Sequence, residues 1–253
     1  MNIKIDFGGE AVADFKVSVL TGAVTETESL RKTVMTVLET CNHSDLAEII
    51  ICYPDRVTPE CKAVIDELCS MPCDVPVIPY KQVLPRMGFI KELIEMAKGT
   101  HCITVDSDLA LDVTLIPEMI KVAKSEPDVI VSASRWMKGG NFSGYNPAKL
   151  VLNFAAQKFL SVLFGGNLTD YTIPFQIAPA KVYKSINFES NEFPLLLELV
   201  LKPLRLGCEF IEVPTECRAR EQGKSSNSFL QTAKYLSTAL RIRFMKKEDI
   251  IKK

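Results

Sequence analysis

Short apolar runs alternate with polar, turn-forming stretches through the first half of the chain, and most apolar runs lead into a segment with helical spacing. "KVSVL" (16–20) predicts a strand, polar "TGAVTETES" comes after it, and "LRKTVMTVLET" predicts a helix. "AEIIICY" (47–53) predicts a second strand, and its lack of polar alternation suits a sheet covered on both faces. The next helix starts from Thr58, with Thr58 as cap and Glu60 making the first turn acidic. "DVPVIPY" predicts a third strand, "GFIKELIEMAKG" a helix closed by Gly99, "HCITV" a fourth strand, and "DVIVSAS" (128–134) a fifth after a helix beyond Pro117. This alternation at short spacing predicts an α/β fold, a mainly parallel central sheet flanked by helices.

After Ser134 the pattern changes. A polar loop, "RWMKGGNFSGYN", precedes a long apolar helix, and a second loop, "GNLTDYTIPFQ", leads to a helix around "FPLLLELVLKPLRLG". The strand "CEFIEVP", a basic loop "RAREQGKSSNS" and an amphipathic helix running to a lysine-rich end complete the chain. No repeat, low-complexity tract or linker interrupts it. Residues 1–253 therefore read as one domain, with a nucleotide-type half over about 15–134 and an acceptor half over about 135–253.

Composition narrows the options. The chain has 253 residues, 47% hydrophobic and 24% charged, with formal net charge -1, which is enough for a sizeable core. A near-neutral balance argues against a nucleic-acid binder, so any anionic ligand must meet a local cluster of bases. Eight cysteines include no C-x-x-C, and only His43 and His101 are available beside them. Even "CSMPC" lacks the partners of a zinc site, so the thiols read as free core residues. No basic-then-apolar leader opens the chain, which fits a reduced, cytoplasmic protein. No segment offers roughly 18 uncharged apolar residues, the length of a membrane span. "KLVLNFAAQKFLSVLFGG" comes nearest but is broken by Asn153, Gln157 and Lys158.

The candidate chemistry lies where strands end. In "THCITVDSDLALD" an apolar strand stops on two carboxylates, Asp106 and Asp108. Such a pair alone is commonly a solvated turn, with Asp108 capping the residues just beyond it. At a strand-to-loop turn, however, both can converge on one hard cation, Mg2+ or Mn2+, which typically takes one or two carboxylates plus substrate phosphates. Facing a diphosphate, two carboxylates repel, and a bridging divalent ion reverses that sign. "TGAVTE" and "SRWMKGG" also fall at predicted strand ends, where open parallel sheets bind ligands. "RAREQGK" gathers three bases and a glycine between a strand and a helix, the makings of a phosphate clamp.

Five ordered blocks resemble one family. "VSVLTGAVTETESL" is similar to its "VSVVIPTYNEEENL", and "GFIKELIEMAKGTHCITVDSDL" to its block ending in Asp-x-Asp-Leu. "SRWMKGGNFSGYNPAKLVLN", "DYTIPFQIAPAKVYKSI" and "GCEFIEVPTECRAREQGKS" resemble its "SRY", "DxTSGFR" and "EVPixFxxRxxGxSK" blocks. The chain thus resembles inverting family 2 glycosyltransferases of the GT-A fold, especially the polyprenyl (dolichyl) phosphate mannosyltransferase and glucosyltransferase branch. The resemblance implies that Asp106 and Asp108 hold Mg2+ or Mn2+ and the donor diphosphate. It implies nucleotide-sugar contacts at Gly22, Val24, Glu26, Asp55 and Gly88, and phosphate contacts at Arg135, Lys149, Arg218, Arg220 and Lys224. The first loop departs from the family pattern, reading G-A-V-T-E for P-x-Y-N-E, and Ala110 replaces a glutamine after Asp-x-Asp-Leu.

The same resemblance implies a nucleoside-diphosphate sugar donor and a polyprenyl phosphate acceptor. Transfer to a hydroxyl needs a base, and no convincing one stands out; Asp170, then Glu198, are the candidates. A phosphate acceptor is already anionic and needs none. Reaching a lipid acceptor calls for either a membrane-anchored partner protein or the basic, apolar-interleaved end "LRIRFMKKEDIIKK" lying on the inner membrane face. Two rival readings are the same fold acting on a soluble or saccharide hydroxyl, and a nucleotide-sugar-binding protein without turnover.

Overall fold

The computed structural model describes residues 14–165, 168–218 and 229–252, with backbone alone for 229–232. In chain order its strands are β1 (Val17–Gly22), β2 (Leu46–Tyr53), β3 (Val77–Lys81), β4 (His101–Asp106), β5 (Ile130–Ser134), β6 (Asn141–Ser143), β7 (Gln176–Pro179), β8 (Phe210–Pro214) and β9 (Glu216–Arg218). Its helices are α1 (Glu28–Thr40), α2 (Pro59–Ser70), α3 (Phe89–Met96), α4 (Ile116–Ser125), α5 (Pro147–Phe164), α6 (Ala180–Ser185), α7 (Pro194–Leu206), α8 (Phe229–Phe244) and α9 (Lys247–Ile250).

Among the described residues, seven strands form one sheet in the order β3-β2-β1-β4-β7-β5-β8. All neighbouring pairs are parallel except those of β7, which runs antiparallel to both β4 and β5. The parallel strands carry apolar residues on both faces because both faces are covered, and the buried polar exceptions include Glu48, which accepts from the Ser18 hydroxyl and the Lys98 N–H. Val17 and Val19 of β1, with Ile49 and Ile51 of β2, pack into a layer with α1, α2 and α4. The alternate residues Leu20, Ile50 and Cys52 face the opposite layer, with α3, α6 and α7. Each fully buried Leu, Ile or Val contributes about 1.5–3 kcal/mol, which is what fixes the sheet between its helices.

Local signals explain the boundaries. Thr58 caps α2 as expected, its Oγ1 accepting from the Cys61 N–H at 3.2 Å, with Pro59 in the first turn. α3 ends at Met96, before Gly99; a Cβ on Gly99 would lie 2.7 Å from the Lys16 carbonyl oxygen, so this glycine serves a close backbone approach. Pro203 sits inside α7 and cannot donate to the Leu199 carbonyl, and the Tyr183 hydroxyl lies 3.3 Å from that oxygen instead.

Two regions differ from the sequence pattern. Strand β7 and helix α6 interrupt what reads as a loop leading to one helix. β7 has four residues, all buried, too few for alternation to show. The lysine-rich end is not a free surface helix: Ile242 and Ile250 are fully buried, and Ile251 bridges to Ile186. All eight cysteines are free thiols, five of them buried. No helix among the described residues is long and apolar enough to cross a membrane.

Candidate active site

β1 and β4 lie side by side at the sheet centre, and the chain passes from β1 to β2 on one side with β4 on the other. That arrangement opens a crevice at the carboxyl ends of the strands. Gly22, the last residue of β1, is in register with Cys52 of β2 and Asp106 of β4. A Cβ on Gly22 would stand 2.7 Å from the Phe89 ring, so the floor of the crevice needs glycine. Asp106 is exposed at the end of β4. Ser107 turns inward, donating to the Gly22 carbonyl at 2.7 Å, and Asp108 comes next, half-buried. The Asp108 Oδ1 accepts from the Ala110 N–H at 3.0 Å, closing a tight turn in which Leu109 has φ 57°. A leucine held in that region costs on the order of 1 kcal/mol, a local strain of the kind that collects at functional turns.

The loop after β1 is organised by Glu26, whose carboxylate accepts from the N–H groups of Val24 and Thr25 at 2.7 and 2.9 Å. The Ala23 N–H donates to the Cys52 carbonyl and the Thr58 N–H to the Val24 carbonyl, tying this loop to the end of β2. Asp55 is exposed in the turn after β2 and pairs with Lys81 at 2.7 Å. Gly88 is buried in a short turn before α3, where a Cβ would meet Leu84 and Asn191.

Arg135 comes directly after β5. Its Nε donates to Asp170 Oδ2 at 2.6 Å and its Nη2 to Oδ1 at 2.9 Å, a two-pronged contact in which Asp170 is fully buried and Arg135 11% exposed. Burial alone would lower the guanidinium pKa, but the Asp170 charge and hydrogen bonds outweigh it and raise it above its ordinary value. Asp170 is itself oriented by Gln157 of α5, at 3.2 Å, and its backbone N–H donates to Glu212 at 3.0 Å. Thr172 accepts from both Arg135 Nη2 and Gln157. Burial raises the Glu212 pKa, opposed by the hydrogen bonds from Thr169 and Asp170. Glu198 is also fully buried, paired with Lys202 and Arg241, each at 3.1 Å.

A small second sheet joins the two sides of the crevice. β6, in the loop after Arg135, pairs with β9, and the Arg218 N–H of β9 donates to the Ala110 carbonyl, two residues past Asp108. The Arg218 side chain is 62% exposed and contacts Glu216 at 2.8 Å. Asp106, Asp108, Gly22, Val24, Glu26 and Arg218 thus share the loops at one edge of the sheet. Lys149 is exposed in the first turn of α5. Arg220 and Lys224 lie outside the described residues.

Gln157, Thr172 and Glu212 escaped sequence reasoning as site-building residues. Gln157 left a trace, as a polar break in an apolar run; Glu212 left one too, as a carboxylate inside "FIEVP". As for a metal, the hard oxygen donors of Asp106 and Asp108 suit Mg2+ or Mn2+ completed by substrate phosphates. Among the described residues no cluster of three or more protein ligands exists that would hold an ion without such help.

A mainly parallel sheet flanked by helices, with an acidic couple at its central crevice, is the GT-A glycosyltransferase architecture. The glycosyl transferase family 2 profile matches residues 18–189, and the chain belongs to that family. Over 129 residues it is 24% identical to an undecaprenyl-phosphate mannosyltransferase of Micrococcus luteus, covering 50% of this chain and 52% of that protein. It is 24% identical over 212 residues to glycosyltransferase AglD of Haloferax volcanii, covering 81% of this chain and 33% of that one. The matches thus span about half of the first relative and a third of the second, which is the longer protein. A crystal structure of glucosyl-3-phosphoglycerate synthase from Mycobacterium tuberculosis, in complex with Mn2+, UDP and phosphoglyceric acid, superposes with TM-score 0.66 at 16% identity, over 93% of this chain and 81% of that one. A complex of that enzyme with Mn2+, UDP-glucose and phosphoglyceric acid gives 0.65 at 14% identity, over 93% and 82%. At these identities the likeness is one of fold.

Proposed function

We propose that the chain transfers a sugar, with inversion, from a nucleoside-diphosphate sugar to an acceptor that already carries a phosphate, polyprenyl phosphate foremost. Asp106 and Asp108 hold Mg2+ or Mn2+, and Gly22, Val24, Glu26, Asp55 and Gly88 frame the nucleotide. When bound, the ion neutralises charge on the donor diphosphate. Arg218 supplies positive charge to those phosphates, the role the family resemblance gives Arg220 and Lys224 as well, and Lys149 adds positive charge for the acceptor. The acceptor oxygen attacks the anomeric carbon as the bond to the diphosphate breaks, and the bases stabilise the departing charge.

The observation that carries the acceptor assignment is the condition of Asp170. Its side chain is fully buried and both carboxylate oxygens are engaged by Arg135. A carboxylate so held serves to position Arg135 rather than to collect a proton, and an anionic acceptor requires no proton collector. The name of the Micrococcus luteus relative, an undecaprenyl-phosphate mannosyltransferase, supports the same acceptor class. The protein then works at a membrane surface, reached through its own surface or an anchored partner.

Thermal-shift screening of nucleoside-diphosphate sugars with Mn2+ identifies the donor, since a ligand at about 100 times its Kd stabilises by about 2.7 kcal/mol. The labelled donor is then offered polyprenyl phosphate, a soluble phosphorylated acceptor and a saccharide hydroxyl. Transfer to the hydroxyl alone overturns the acceptor assignment, and donor binding without transfer to any acceptor overturns the enzymatic one. Asp108→Ala should abolish Mn2+-dependent transfer with little change in melting temperature; full activity in that variant would remove the acidic couple from the reaction.

A further inference from the structure

Helix α5 is apolar on its outer side as well as its inner one, where Leu160, Leu163 and Phe164 pack against α7 and α8. Its sequence, "PAKLVLNFAAQKFLSVLF", is apolar at most positions and carries no carboxylate. An ordinary surface helix turns its apolar stripe to the core. Here the residues most buried are Gln157 and Leu160, and Asn153 and Gln157 point inward, accepting from Trp136 and donating to Asp170. The outward arc is apolar: Val151 is 70% exposed, Leu152 58%, Phe159 42% and Val162 89%. Helix α8 extends this surface. Arg243 donates to the Leu163 carbonyl at 2.7 Å, joining the two helix ends, and the neighbouring Phe244 is 77% exposed. Contiguous exposed apolar surface of this kind marks an interaction site, unlike apolar residues scattered singly.

We propose that this face of α5 and the end of α8 lie on a lipid bilayer bearing anionic headgroups. The charge pattern selects that occupant. Neither helix contains an Asp or Glu, while Lys149, Lys158 and Arg243 rim the apolar arc, in a chain whose net charge is -1. Lysines flanking an apolar helix face are the pattern of an in-plane membrane helix, stems along the apolar layer and ammonium groups at the phosphates. The outer side of α5 then rests in the lipid while its inner side, through Gln157, holds the Asp170 that positions Arg135. A lipid-borne phosphate would thus meet the acceptor side of the crevice without leaving the membrane. This purpose rests on the proposed acceptor; the docking itself is measured without turnover.

The test is co-sedimentation of the full chain with vesicles of phosphatidylcholine alone and of phosphatidylcholine with phosphatidylglycerol, neither containing a polyprenyl phosphate. The wild type should bind the anionic vesicles, less so at high salt, and the Val151→Glu/Val162→Glu variant should partition at least about tenfold less. Both positions are surface-exposed, so the variant should keep its melting temperature and its transfer to a water-soluble acceptor; Val151→Ser/Val162→Ser serves if the charged pair does not fold. Wild-type protein that ignores both vesicles, or binding unchanged in the variant, overturns the docking whatever the enzyme's acceptor proves to be. A wild-type dimer that becomes a monomer in the variant overturns it too, assigning the face to a second copy. Docking with transfer only to soluble hydroxyls would keep the surface and reject the acceptor.

Discussion

Asp170→Asn isolates the charge that holds Arg135 in place just after β5. The substitution keeps the shape of the side chain and an oxygen for Arg135 and Gln157, and removes one negative charge from a pair in which Asp170 is fully buried and Arg135 11% exposed. Two hydrogen bonds, 2.6 and 2.9 Å long, change from charge-assisted on both sides to one. Breaking a buried pair by removing one partner typically costs about 3–5 kcal/mol, because the remaining charge is left in a low-dielectric site. For a chain of this size that corresponds to a fall in melting temperature of roughly 6–20 °C. Urea unfolding should show a lower midpoint with an unchanged slope, the sign of lost stability rather than an altered unfolded state. Arg135→Gln should cost a similar amount by stranding the Asp170 charge. The double variant, neutral on both sides and still hydrogen-bonded, should recover about 2 kcal/mol or more relative to the sum of the singles. A single-variant cost below about 1 kcal/mol, or strict additivity, would refute the view that these charges hold each other.

Gly22→Ala should destabilise by about 1–3 kcal/mol, because its Cβ meets the Phe89 ring at 2.7 Å; calorimetry on Phe89→Ala and the double variant should show that the two changes are not additive. Thr33→Val should be neutral or stabilise by about 1 kcal/mol, since the buried Thr33 hydroxyl has no hydrogen-bond partner among the described residues; a clear loss of melting temperature would mean a partner exists. His101 is buried, with Nε2 2.8 Å from the Pro127 carbonyl, and burial holds its pKa below 6.5. The unfolded chain therefore takes up a proton that the folded chain resists. Its contribution to stability is complete above about pH 6.5 and is lost as pH falls through the folded value; melting curves of wild type and His101→Gln that stay parallel across that window would contradict this.

The sequence by itself determined the layered sheet of the first half, because strands covered on both faces must place apolar residues on both and the helices between them must repeat at helical spacing. The acidic couple was legible for a similar local reason: "HCITV" ends where Asp106 begins, and strand ends are where such sheets open. Only the tertiary structure decided the rest. The Arg135–Asp170 contact spans 35 residues, and nothing in "SRW" or "DYT" states which carboxylate meets which guanidinium. β7 is too short for its pattern to show, and its place between β4 and β5 is a matter of sheet order. Helix α5 is the clearest case. A run apolar at most positions and on every side conceals which face will be buried, and the inward turn of Asn153 and Gln157 was settled by the polar groups they had to satisfy beneath the helix. Pattern along a chain reports how much of a segment tends to leave water; which partner receives it depends on contacts between residues far apart in sequence.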